Sequence, residues 1–122
     1  MHLLVLAHRG EAQEFIKTLQ LKACSSIQGL YKNTDTALLI AGEGIYESMI
    51  KLPYIIAKNP IRVIINYGIA GALPTKNDKL QINDIVSIRT VYGYNESSPK
   101  FHSYTSCSQS PVFDCITTDQ RV

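Results

Sequence analysis

The sequence has no tryptophan and only two methionines in 122 residues, and its three cysteines are an odd number. Cys24, Cys107 and Cys115 show no C-x-x-C spacing, which argues against a disulfide framework or a zinc knuckle and for reduced thiols. Charge of one sign is lacking too. Twelve basic residues are scattered among ten acidic ones, leaving a net +2 and no Lys/Arg run, so no nucleic-acid partner is expected. Apolar runs such as Leu3 to Ala7 fall far short of the ~20 residues that cross a bilayer. The N-terminus has no signal-peptide pattern, so a cytoplasmic protein without a membrane partner is expected. His2, His8 and His102 show no metal-ligand spacing, and no metal or cofactor is expected. There is no G-K-[ST] and no G-x-G-x-x-G, because Glu47 stands where the third glycine would fall.

What is present is a composition that can bury one core: 45% apolar and 18% charged residues. The length is short for two ordinary domains, which run ~100–150 residues each. His2 to Ala7 is apolar on both faces and predicts a buried central strand. Ala12, Phe15, Ile16 and Leu19 recur at helical spacing. Gln28 to Asn33 and Thr36 to Ala41 predict a hairpin across Asn33-Thr34-Asp35. Ile45, Met49, Leu52, Ile55 and Ile56 predict a helix, in which Pro53 either kinks the element or divides it in two. Ile61 to Asn66 predicts another buried strand, Asp84 to Val91 a further one, and Val112 to Thr118 a resumed apolar rhythm. Between them, Tyr92 to Pro111 holds six Ser, three Tyr and two Pro and predicts a long loop. This order argues for an α/β fold, a mixed β-sheet flanked by helices.

In open α/β sheets, ligands bind where strand C-terminal ends meet helix N-termini. Three places fit: Ala7 to Glu11, Gly42 to Gly44, and Gly68 to Gly71. Gly42-Glu43-Gly44 is either a structural turn or a point of close backbone approach to a ligand. Gly68-Ile69-Ala70-Gly71-Ala72 is rich in tiny residues directly after a strand. It reads either as close packing of a helix on the sheet or, preferably, as a ligand-facing bend. Glu11 is the best candidate for a general base, with a helix-start carboxylate as its plain alternative and Glu14 a weaker candidate. His8 lies beside the same strand end and could touch a ligand there, a surface role being the more natural one. Asp119 is either a polar pocket wall or the cap of a following helix. Cys115 is expected in the core.

In this order the pieces resemble the N-terminal half of the nucleoside phosphorylase/nucleosidase superfamily. This is the group of methylthioadenosine/S-adenosylhomocysteine nucleosidases, futalosine hydrolases and nucleoside phosphorylases. Ile64-Ile65-Asn66-Tyr67-Gly68-Ile69-Ala70-Gly71-Ala72-Leu73 resembles the family's strand and Asn-x-Gly-x-Ala-Gly-Gly segment. Gln81 to Val86 resembles its Gly-Asp-Ile-Val strand start, with Asn83 in place of the glycine. Gly42-Glu43-Gly44 resembles its Gly-x-Gly turn, and Thr117-Thr118-Asp119 its Ser-Gly-Asp.

The resemblance implies a nucleoside phosphorylase-like partial domain over residues 1–122 that cleaves the N-glycosidic bond of a purine-type ribonucleoside. It implies Glu11 as the catalytic residue that positions or activates water. Gly44, Gly68, Ile69, Ala70, Gly71 and Asp119 would line the substrate site, and a homo-oligomer is implied as well. Inorganic phosphate would be a co-substrate only in a phosphorylase. Arg9 and Arg89 do not match the family's phosphate-holding arginines, which favours water. A non-catalytic nucleoside-binding or oligomerisation module is the other alternative. Ile69 stands where serine is common, and Arg121 where nucleosidases carry a base-stacking aromatic. The family's second half supplies a glutamate for the ribose hydroxyls and an aspartate for the purine, so residues 1–122 alone are expected to be inactive.

Overall fold

In the computed structural model the described residues are 1–73, 80–94, 102–105 and 112–118, and the chain forms two compact units, Met1–Gly71 and Ala72–Val122. The first unit is α/β. Its elements are β1 (His2–Leu6), α1 (Arg9–Thr18), β2 (Lys22–Ala23), β3 (Leu30–Lys32), β4 (Thr36–Ile40), α2 (Ile45–Lys58) and β5 (Val63–Asn66). They make one mixed sheet in the order β2-β3-β4-β1-β5. β1 runs parallel to both β4 and β5, while β2, β3 and β4 are joined antiparallel.

Alternation along β1 and β4 divides the core between the two faces of the sheet. Leu3, Val5, Leu39 and Ala41 pack with Ile55 of α2 on one face. Leu4, Leu6 and Leu38 pack with Ala12 of α1 on the other. Strands buried on both sides need the continuous apolar stretches that these two show.

The expected hairpin forms, and Asn33 builds its turn. Asn33 Oδ1 accepts from the backbone N–H groups of Asp35 and Thr36 at 2.9 and 2.8 Å. Its Nδ2 donates to the Leu19 carbonyl at 2.9 Å. Gly29 stands at φ +86° with its carbonyl accepting from Ile40 N–H, and a Cβ there would lie 2.9 Å from the Ile40 carbonyl oxygen. Only glycine suits that place. The two-residue β2 was not expected from the sequence, being too short to show a period.

Of the two arrangements open at Pro53, the undivided one forms: α2 is a single helix through it. One expectation for this unit is corrected. β5 is not a buried strand: Val63, Ile64 and Ile65 are 41–50% exposed. It pairs only with β1 among the described residues, at the edge of the sheet, and its aliphatic side chains join neither helix-backed core.

The second unit holds β6 (Ser87–Tyr94), β7 (His102–Thr105) and β8 (Val112–Thr118), in the order β7-β6-β8. The loop expected from Tyr92 is therefore partly strand, since Thr90 to Gly93 pair antiparallel with His102 to Thr105. Tyr and Thr favour a pleated, half-buried surface as much as aliphatic residues do. β6 and β8 are parallel, with an irregularity between Ile88 and Thr90 that leaves Arg89 outside the register. The Arg89 guanidinium pairs with both carboxylate oxygens of Asp114, at 3.0 Å for the closest bond. Cys115 is half-buried rather than core, and Thr90 is the one buried residue among those described in this unit. Asn83 has φ +74°, a conformation that asparagine tolerates better than most residues.

Candidate functional site

Three strand ends meet at one rim of the first unit's sheet. The parallel pairing of β1 with β4 and β5 brings Ala7, Ala41 and Tyr67 to the same end, where Ala41 N–H donates to Leu6 O and Tyr67 N–H to Val5 O. α1 begins immediately after β1, with His8 in extended conformation as its N-cap. Glu11, in the first turn, folds back over that start. The backbone N–H groups of Ala7 and His8 both donate to Glu11 Oε2, each at 3.2 Å. Two otherwise unpaired N–H groups thus fix one carboxylate oxygen.

The other oxygen, Oε1, faces Gly68. A Cβ built on Gly68 would lie 3.9 Å from it. Tyr67 holds this part of the chain in place, its ring meeting Phe15 of α1 edge to face at 5.2 Å between centroids. The half-buried carboxylate therefore stands between a helix start and the glycine-rich segment after β5.

The Gly42–Gly44 turn closes the same rim from β4. Gly42 and Gly44 have φ +84° and +88°, and Gly44 is the N-cap of α2. Glu47 does more than fill a glycine's place. Its side chain reaches to 3.5 Å of where a Gly42 Cβ would be and pairs with Lys51 at 3.1 Å. Glu43 crosses from this turn to the first one, where its Oε1 lies 3.0 Å from His8 Nε2. Both residues stand in stretches that the sequence singles out, but the contact between them is what sequence reasoning missed. Residues 35 apart in the chain carry no local signal of a pairing set by two parallel strands.

The structure brings Glu11 and Gly68 together, with Gly44 on the neighbouring loop of the same rim. Ile69, Ala70 and Gly71 continue from Gly68 as exposed, irregular chain, Ile69 being 90% exposed. No helix follows them within the described residues, and a Cβ at Gly71 would touch nothing within 4 Å. Asp119 lies outside the described residues, as does Arg121.

No family model, no curated protein and no solved structure matches the chain. Among the described residues, no group of three or more His, Cys, Asp or Glu side chains could hold a metal ion. No helix among them is long and apolar enough to cross a membrane.

Proposed function

We infer that the rim binds a purine-type ribonucleoside and belongs to a nucleoside phosphorylase-like hydrolase that splits the N-glycosidic bond with water. The observation that carries this reading is the asymmetric holding of Glu11. Oε2 is fixed by two backbone N–H groups, while Oε1 is turned to Gly68. A carboxylate held in this way can take a proton from a water molecule within ~2.6–3.2 Å of it. Its negative charge also favours the positive charge that develops on the ribosyl ring as the bond to the base breaks. The departing base carries the bonding electron pair, and the water oxygen bonds to the anomeric carbon. The exposed backbone of Gly68 to Gly71 gives sugar and base a surface that no side chain of bulk obstructs except Ile69.

Water rather than phosphate is supported by where the arginines stand. Arg89 is bound by Asp114, and Arg62 follows the loop that leads into the opposite end of β5, its N–H donating to Met1 O. Of the two arginines described in the first unit, Arg9 is the one near the rim, exposed in the first turn of α1.

Binding is the readout for these 122 residues. Titration with 5′-methylthioadenosine or inosine, followed by amide NMR, is expected to shift residues 7–11, 42–44 and 66–71 together. Glu11→Gln is expected to keep that binding. In a chain that also carries the family's second half, it should lower base release by ~10²-fold or more. Absence of shifts at the rim, or base release that requires phosphate, would overturn the reading.

A further inference from the structure

The opposite rim of the first unit's sheet carries a second concave place. α1 ends near the N-terminal ends of β1 and β4, where β3 also finishes at Lys32 beside Ala37. Gln20, Lys22, Lys32, Asn33 and Thr34 line an open cleft there of about 460 Å³. Lys22 and Lys32 are directly opposed in the antiparallel pair β2–β3. Their side chains therefore leave the same face of the ribbon, from Cα atoms roughly 4.5–5.5 Å apart.

Like charges placed this way repel and destabilise a strand pair. No acidic residue lines the cleft, and neither lysine makes an ion pair among the described residues. Asn33 is committed to the turn, where its Nδ2 covers the Leu19 carbonyl just past the negative end of α1. Gln20 has φ +52° just past the helix, a place where glycine is usual. A long amide side chain is therefore kept at the cleft at the cost of backbone strain. The thiol of nearby Cys24 is shifted below its usual pKa, chiefly by its hydrogen bond with Ser26, with the charge of Lys32 a smaller cause. That agrees with a positive potential on this face.

We propose that this cleft binds a phosphate group, as inorganic phosphate or a phosphomonoester, between the ammonium groups of Lys22 and Lys32. The Gln20 amide and the Thr34 hydroxyl serve as neutral donors beside them. Two opposed ammonium charges are balanced by a dianion, which a carboxylate does not supply. The site is at the other end of the strands from Glu11, so it stands or falls independently of the nucleoside reading. Lysines on an edge strand can also serve only to block strand pairing with another chain. That role needs exposed charge and no concave set of donors.

The test is titration of the 122-residue chain with inorganic phosphate at constant ionic strength, read by amide NMR, with acetate as the singly charged control. A second titration with ribose 5-phosphate separates the free ion from the ester. Saturable shifts confined to residues 20–24 and 32–34 are expected with phosphate and not with acetate. Lys22→Gln and Lys32→Gln should each weaken binding about tenfold, the loss of one charge-assisted hydrogen bond. Thr34→Val should weaken it less, and the double lysine variant should remove it. Both lysines are exposed, so the spectra away from the cleft should be unchanged. Shifts that spread over the whole surface, occur equally with acetate, or survive in the double variant would overturn the proposal and leave the lysines as edge protection.

Discussion

β4 and β5 have nearly interchangeable sequences and opposite fates. Thr36-Ala37-Leu38-Leu39-Ile40 and Val63-Ile64-Ile65-Asn66 are both short aliphatic stretches, both parallel to β1 and both aligned with it residue for residue. Leu38 and Leu39 are fully buried, whereas Ile64 and Ile65 are about half exposed. The difference lies in what covers them. β4 has β3 and β1 on its sides and a helix-backed core on each face. Among the described residues β5 has β1 on one side only, and Val63, Ile64 and Ile65 join neither helix-backed core. Apolar content sets what a strand would gain from burial, and its neighbours decide whether the gain is made.

The largest test of this comparison is a pair of truncations. Leu39→Ala should cost ~2–5 kcal/mol, the range for large-to-small changes in a packed core. Ile64→Ala should cost only about 1 kcal/mol, in keeping with its half exposure. Hydrogen exchange of the β1 and β4 amides measures both, and equal losses would refute the contrast. A smaller effect tests how β4 is held at its far end. Gly29→Ala is expected to cost about 2 kcal/mol, combining a positive φ with a Cβ pressed on the Ile40 carbonyl. Exchange at Ile40 should rise first. The smallest effect lies at the start of β4. Asn33→Ala removes three side-chain hydrogen bonds, but in an exposed turn where water replaces them. A loss of ~1 kcal/mol is expected, with β5 amides least affected.

The same contrast explains what could be read from the residues. β1 and β4 were legible because a strand buried on both faces needs unbroken apolar character. β5 shares that character, so its position was legible and its exposure was not. Neighbour relations are set by pairings between residues 2–5 and 63–66, far apart in the chain. The hairpin was legible from Asn33-Thr34-Asp35 because those side chains can close a turn by themselves. β7 was hidden because His102-Ser103-Tyr104-Thr105 has no aliphatic residue and takes its order from β6.

At the rim, Glu11 could be picked out because a carboxylate in the first helical turn has nearby N–H groups to accept from. The approach of Glu43 to His8 depends on two loops being set side by side, and only the sheet does that. The nucleoside phosphorylase-like reading joins these pieces through Gly68, whose place beside Glu11 follows from β1 and β5 running parallel.

Pro53 has a consequence for time rather than shape. It is the ninth residue of α2 and has no N–H to offer the Met49 carbonyl, so one rung of the helix ladder is missing. Ile55, two residues past it, is fully buried and Leu52 just before it packs against the same core, whereas Met49 and Ile50 in the preceding turn are 65% and 72% exposed. Thermal opening of the helix should therefore begin on the side of Ile45, with Gly44 at the free end and residues beyond Pro53 staying closed. A rim loop attached to that frayed end can rearrange on a faster clock than the sheet beneath it.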